Sequence, residues 1–404
     1  MRLSAPMRLL LYVPLGVAAA YPQSALDLKA ALQLAESDNL ELRAARQQRA
    51  IALAGLTVAG QLPNPIITFS ASRDAPHEST LWDQPIELGG KRGKRLALAQ
   101  EEQKATEIDI VVLSRQIRQR TREAFYRALW SRAQAEQSKA ALDLATRIRD
   151  IVQQRFEAGD VAQLEVIQAE VERGRASTEY EVALQAQKTA DAQLSALLNG
   201  PLDKAWDLQG RLSDIPGAAS LQALTDTALG SNAEVRRATQ EMEVEQRRLA
   251  LAKAERIPNL DLQAGVDLNA PHDYSVGPRG QVGISLPIFY HGQGEVAQST
   301  ARLEFLRLAL QAQKTNVSVQ VLAAYFDYTA KTRQAEEYAQ KIVPQTVQLE
   351  DMAEESYRAG KSNLLTLIDA QRKLNETRKA YLDSLFAVQG SFAALEEVVG
   401  TPLD

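Results

Sequence analysis

The sequence predicts a mainly α chain with a small β part: a duplicated unit of long coiled-coil helices, with four transmembrane β-strands per chain. Three observations lead there. Six short segments recur in the same order, roughly 200 residues apart. Each half holds a helical pattern of roughly 65 residues, longer than a compact globule needs. Each half also holds two segments of about ten residues that alternate apolar and polar side chains, the length of a tilted membrane strand.

Composition limits the alternatives. The 404 residues include no cysteine, which excludes a disulfide framework, a thiolate metal site, a thiol nucleophile and an acylated lipoprotein N-terminus. Three histidines and four methionines leave little material for a soft-metal site. A formal net charge of −5 argues against general nucleic-acid binding. A mean hydropathy of −0.26 argues against a polytopic helical membrane protein. No cofactor loop appears, and three isolated histidines make an enzyme the weakest hypothesis.

The N-terminus has the form of an export signal, residues 1–20. Arg2 and Arg8 precede an apolar run from Leu9 to Ala20, too short to span a bilayer. Ala18-Ala19-Ala20 supplies small residues for cleavage after Ala20 or near Ala25. Met7 is an alternative start that keeps Arg8 in the positive region.

The first repeat is expected over 26–200, a connector over 201–220, and the second repeat over 221–404. "DNLELRAAR" from Asp38 answers "SNAEVRRAT" from Ser231. "LPNP" at Leu62–Pro65 answers "IPNL" at Ile257–Leu260, and "APHE" at Ala75–Glu78 answers "APHD" at Ala270–Asp273. "PIELGG" at Pro85–Gly90 answers "PIFYHG" at Pro287–Gly292. "FEAGDVAQLEVIQAE" from Phe156 answers "YRAGKSNLLTLIDAQ" from Tyr357, and "PLD" at Pro201–Asp203 answers "PLD" at Pro402–Asp404.

Each half reads as one first helix, two strands, a very long helix, a glycine break and a returning helix. The first helices are expected over Leu26–Gln61 and Leu221–Ile257, ending near Pro63 and Pro258. The long ones run from Lys91 to about Glu157 and from Glu295 to about Ala359. Ile110, Leu113, Ile117, Thr121, Ala124 and Ala128 fall on heptad positions, with small residues that allow close helix approach. Gly159 and Gly360 end these helices, and the returning helices span Ala162–Leu198 and Asn363–Val399. Gly210, Pro216 and Gly217 mark the connector.

The strands are expected over 65–73, 81–88, 259–269 and 281–289. Leu260, Leu262, Ala264, Val266 and Leu268 alternate with Asn259, Asp261, Gln263, Gly265 and Asp267. Val282, Ile284, Leu286 and Ile288 continue the apolar face, and Ile67, Phe69 and Ala71 form one in the first half. Trp82, Tyr274, Phe289 and Tyr290 are placed near strand ends, as an aromatic girdle would be. Four strands cannot close a barrel alone, and lipid does not tolerate open sheet edges. Several chains must therefore contribute: two give eight strands and three give twelve.

The signal segment, duplicated halves, strand pairs and long helices together resemble the TolC-like outer-membrane efflux family over essentially the whole mature chain. The most specific motifs are "RFEAGDVAQLEVIQAE" and "YRAGKSNLLTLIDAQRKL", similar to that family's hairpin tips. "QPIELGGKRGKR" at Gln84–Arg95 resembles the "PIEWPGKR" element of its cation-efflux, CzcC-like branch, with Leu88-Gly89 standing where Trp-Pro is common.

The resemblance implies a homotrimer with a 12-stranded β-barrel in outer-membrane lipid and an α-helical tunnel across the periplasm of a Gram-negative bacterium. It implies docking to a periplasmic adaptor (membrane fusion) protein and an inner-membrane efflux pump, of the proton-driven RND type. The chain would conduct heavy-metal cations or drugs passively. Adaptor contact would fall on Arg155, Gly159, Asp160, Gln163 and Leu164, and on Arg358, Gly360, Lys361, Asn363 and Leu364. A periplasmic gate would use Asp369 and Thr366, with Glu165 and Gln168 as their counterparts. His77 and His272, each followed by a carboxylate in a strand loop, are weak candidates for a metal ring at the outer mouth. The basic run Lys91–Arg95 lacks a phosphate-loop pattern and is placed at the membrane–periplasm junction. The competing function is a periplasmic coiled-coil adaptor or structural protein without a pore.

Overall fold

The computed structural model of the chain describes residues 25–203, 206–268 and 277–403. The export signal, His272 and Tyr274 lie outside the described residues.

The first helix of each half is two helices. In the first half α1 (Leu28–Asp38) gives way to α2 (Leu40–Ala59) at Asn39. Asn39 has left helical geometry, and its Oδ1 caps α2 by accepting from Leu42 N at 3.1 Å. Its Nδ2 donates to the carbonyl of Leu197, 3.0 Å away at the end of the returning helix. The sequence pattern runs across Asn39 because both helices present their apolar residues to the same core.

A four-stranded antiparallel sheet follows the order β1 (Ile66–Ala71), β2 (Glu78–Ile86), β3 (Leu260–Leu268), β4 (Gly277–Ile284). β2 begins three residues before its expected start. β4 ends at Ile284, so Leu286, Ile288 and the Phe289-Tyr290 pair lie past it; Pro287 has no N–H to continue a ladder. Trp82 stands within β2, opposite Ile67 and Ala264, and is not an end-of-strand girdle residue. Register fixes two faces, because directly paired residues point the same way. Ile67 and Phe69, Trp82, Leu262 and Val266, and Val282 share one face, interrupted by Thr80 and Gln84. Thr68 and Ser70, Asp83, Gln263 and Asp267, and Gln281 share the other, interrupted by Leu81 and Ile66.

From the sheet, α3 (Lys91–Glu157) runs 67 residues without interruption, about 100 Å at 1.5 Å per residue. Its heptad positions Ile110, Ile117, Thr121, Ala124 and Ala128 are buried, and Leu113 is half-buried against the same core. α4 (Gln163–Leu197) returns along it. After the connector, α5 (Leu221–Ser231) and α6 (Ala233–Glu255) repeat the opening pair. Asn232 repeats the work of Asn39: it caps α6 and donates to the Val398 carbonyl at 2.7 Å.

The second long helix is not continuous. α7 (Gln293–Glu337) passes through a π-helical turn, Tyr338–Ile342, into α8 (Val343–Arg358). Pro344 lacks the N–H for an i→i−4 bond, and the wider turn accommodates it near the start of α8. α9 (Leu364–Val399) returns. Among the described residues no helix is long and apolar enough to cross a membrane.

Two cores hold the rods. The larger gathers Leu42, Phe125, Leu194, Leu224, Phe392 and Leu395 near the far ends of α4 and α9. There Arg122 is buried, ion-paired to Glu396 at 2.9 Å and placed over the Phe392 ring at 5.2 Å. The connector seals this core: Leu26 N donates to Asp207 O at 2.7 Å, and Gln389 Nε2 donates to the carbonyls of Leu212 and Asp214. The smaller core, Ile148, Val152, Tyr357, Leu364 and Leu367, sits at the glycine breaks.

Candidate functional site

Both tips are built the same way. Gly159 (φ +82°) and Gly360 (φ +67°) follow α3 and α8 in the left-handed region, where a side chain would be strained. Asp160 N donates to Arg155 O and Gly159 N to Phe156 O, both at 2.9 Å. Lys361 N donates to Ser356 O at 2.9 Å and Gly360 N to Tyr357 O at 3.0 Å. This paired pattern satisfies the last helical carbonyls and turns the chain sharply. No atom lies within 4 Å of a Cβ built on either glycine. The tips differ where they re-enter a helix: Asn363 accepts from Thr366 N at 3.0 Å and from Thr366 Oγ1 at 2.9 Å, whereas Ala162 provides no side-chain cap.

The anticipated tip residues separate into two groups. Gly159, Asp160, Gln163, Leu164, Arg358, Gly360, Lys361 and Asn363 are exposed. Leu364 is not available as a contact: it is 1% exposed and belongs to the tip core. Leu365, 57% exposed, takes the place equivalent to Leu164, 64% exposed. The offset of 201 between the two tip motifs pairs Leu164 with Leu365 and was the signal that could have found it.

Arg155 is engaged inward. Its guanidinium lies 5.1 Å from the centre of the Tyr357 ring, and Tyr357 Oη donates to Glu165 Oε2 at 3.2 Å. The three groups tie the first tip to the second. Burial, then the Glu165 carboxylate, holds the Tyr357 phenol above its ordinary pKa. Tyr357 was missed in the sequence, where it stood only as the first residue of the second tip motif.

The anticipated gate residues are not gathered within one chain. Glu165 is held by Tyr357, and Thr366 is occupied at the cap of α9. Gln168 is half-buried, and Asp369 is exposed beside Arg372, which itself pairs with Glu172. Nearby, Glu350 on α8 is 7% exposed. Burial, then Glu354 and Asp351, raises its pKa, opposed by Gln371 and Arg378.

The sheet faces complete the geometry. Phe69 is 78% exposed, and Ile67, Trp82, Leu262 and Val282 on the same face are also exposed. On the other face Gln263 Nε2 donates to Asp83 Oδ2 at 3.0 Å, and Arg279 lies 3.7 Å from Asp267. An apolar face turned to the surroundings and a hydrogen-bonded polar face reverse what water requires of a sheet. His77 sits in the β1–β2 loop, where its carbonyl accepts from Ser72 N at 2.8 Å. Among the described residues no group of three or more His, Asp or Glu is placed to hold a metal ion.

Long rods below a sheet with an exposed, mainly apolar face suit a protein anchored in a membrane by its strands. The sequence model of the outer membrane efflux protein family matches residues 31–200 and 224–401, one segment in each half, and the chain belongs to that family. It is 25% identical over 378 residues to the cobalt-zinc-cadmium resistance protein CzcC of Cupriavidus metallidurans, covering 93% of this chain and 90% of the relative. It is 25% identical over 347 residues to the pyoverdine export outer membrane protein OpmQ of Pseudomonas aeruginosa, covering 82% and 69%. The solved structure of CusC superposes with a TM-score of 0.77 at 17% identity, over 95% of this chain and 96% of that one. The chain is an outer-membrane efflux channel protein, the exit duct of a tripartite system, with a large periplasmic part. The relatives are transport proteins, and a pore-less adaptor is not favoured.

Proposed function

We propose that three copies close head to tail into one 12-stranded barrel standing on a helical tunnel. The observation that carries this is a matched pair of open edges. The sheet ends at β1 and β4, and the wall of helices packed in the order α2, α3, α6, α7 ends at α2 and α7. Each helical edge carries an exposed heptad seam. On α2 it is Leu40, Ala44, Gln47, Ile51, Ala54 and Val58; on α7 it is Phe305, Leu308, Ala312, Thr315, Val319, Leu322 and Phe326.

The seams fall in step. Arg49–Glu107 at 2.6 Å, Arg237–Asp109 at 3.2 Å and Arg302–Glu245 at 3.3 Å fix the relative heights of the four helices. They put Ile51 at about the height of Phe305, and Gln47 at about that of Leu308. A rotation axis keeps neighbouring copies at equal height, so the α7 edge of one copy can seat on the α2 edge of the next. Eight strands leave an interior that side chains fill; twelve leave room for a duct.

Conduction is passive, with energy supplied by a proton-driven inner-membrane pump. The tips, through Gly159, Asp160, Gln163, Leu164, Arg358, Gly360, Lys361, Asn363 and Leu365, meet the periplasmic adaptor. The Arg155–Tyr357–Glu165 link holds the tips closed, and three Asp369 carboxylates around the axis favour cations. Heavy-metal cations are the cargo, because the match to CzcC spans more of both chains than the match to OpmQ. A deletion strain tested against cobalt, zinc and cadmium and against organic toxicants checks this. Sensitivity confined to the metals is expected; sensitivity confined to the organic compounds would overturn it.

A further inference from the structure

The structure assigns an anionic phospholipid contact to the joint between sheet and rods, on the leaflet facing the periplasm; it rests on the outer-membrane barrel proposed above. At this joint β2 passes into α3 and α6 passes into β3. Lys91 Nζ donates to Asn259 Oδ1 at 2.6 Å, and a Cβ on Gly89 would press on the Ile257 side chain, so both passages lie at one height. Lys91, Arg92, Lys94, Arg95, Lys253 and Arg256 here outnumber Glu87, Glu255 and Glu295.

Only part of this charge has an internal use. Arg95 pairs with Glu87, and Arg92 Nε donates to the Gly60 carbonyl at 2.6 Å, closing the end of α2. Lys94, Lys253 and Arg256 are exposed and make no ion pair among the described residues. Further down the rods many arginines do pair with carboxylates, as Arg49, Arg237 and Arg302 show. Nor does the local fold demand the charge. The equivalent start of α7 has Gln293, Gly294, Val296 and Ala297 where α3 has Lys91, Arg92, Lys94 and Arg95.

Beside these cations lies an apolar rim. Phe289 is 96% exposed, and Ile288, Tyr290, Ile257 and Leu88 are exposed with it. The rim continues the apolar face of the sheet through Ile86 and Ile284, the face assigned to lipid. Aromatic and aliphatic groups beside flexible cations suit a bilayer boundary: the rings enter the acyl region while the basic heads reach phosphates. Continuity with the lipid face and the positive excess favour phosphodiester headgroups over a protein partner.

The test titrates dioleoyl-phosphatidylglycerol and dioleoyl-phosphatidylcholine into the detergent-solubilised trimer, with retained lipid counted by native mass spectrometry. Wild type is expected to bind phosphatidylglycerol on the order of tenfold tighter. The variant K94Q/K253Q/R256Q, which loses no described hydrogen bond or ion pair, is expected to lose most of that preference. The rod variant K139Q/K188Q/K373Q, with the same charge loss, is expected to keep it. Equal binding of the two lipids by wild type, an unchanged preference in the joint variant, or an equal loss in the rod variant would each overturn the assignment. Fractionation of the membranes separates the two levels: a chain absent from the outer membrane defeats the barrel itself, whereas an outer-membrane trimer indifferent to headgroup charge defeats only this contact.

Discussion

The two halves share one plan and differ where motion and attachment would differ. In the first half α3 is a single 67-residue rod; in the second the equivalent path is broken by the π turn ahead of Pro344. The first tip re-enters its helix without a side-chain cap, and the second is capped by Asn363. The first joint carries the basic run, and the second does not. Duplication therefore supplied the walls, and divergence made one half a stiff strut and gave the other an internal break at which a rod can bend.

The largest effects are expected at the two helical edges. Ile51→Asp on the first-half edge, or Phe305→Asp on the second-half edge, places a carboxylate in the proposed seam. Each is expected to abolish the trimer on size-exclusion chromatography and reduce resistance to that of a deletion strain. A trimer surviving both would mean these edges do not meet.

Next come the tips. Gly159→Pro and Gly360→Pro force φ to about −65° where the chain needs a positive value. Each is expected to abolish efflux while leaving outer-membrane trimers intact. Normal resistance in both would remove the tips from adaptor contact; loss in only one would show that the halves dock unequally. Tyr357→Phe removes the donor to Glu165 and is expected to raise single-channel conductance in planar bilayers several-fold. Asp369→Ala is expected to lower cation selectivity in the same recording.

Smaller effects sharpen the contrast in capping. Asn363→Ala is expected to destabilise the second tip by about 1 kcal/mol, and Ala162→Asn to stabilise the first by a similar amount, as hydrogen exchange at each tip would report. Ala162 already has the extended backbone of a capping residue. The smallest effect is at Glu350. Its pKa is raised in the fold, so the folded chain holds this proton more tightly than the unfolded one. Stability then falls as pH rises from the ordinary carboxylate range through the raised value, and the loss persists above it. Glu350→Gln is expected to raise the thermal midpoint at pH 7.5 by an amount equivalent to about 1 kcal/mol per chain or less, with no gain at pH 4. A gain equal at both pH values would assign the effect to packing alone.

The plan of the molecule was legible because it rests on periodicity. Heptad spacing from Ile110 to Ala128 marked the seam of α3, and strict alternation from Leu260 to Leu268 marked β3. What the pattern hid was local. Asn39 and Asn232 break a helix without breaking its apolar stripe, because each caps the next helix and ties it to the returning one. Pro344 is absorbed by a wider turn, and the helix continues beyond it. At the tip Leu364 and Leu365 are adjacent leucines with opposite fates, since one side chain points between the rods and the next points away. The Tyr357–Glu165 link joins residues 192 apart and leaves no local signal.

In the ring, the α7 edge of one copy seats on the α2 edge of the next. The chain has no cysteine, so one pair can be introduced without background: Ile51→Cys together with Phe305→Cys. Mild oxidation of outer membranes followed by non-reducing electrophoresis should give covalent dimers and trimers from the double variant and only monomers from either single variant. Monomers alone from the double variant, in membranes that contain the assembled protein, would contradict the ring.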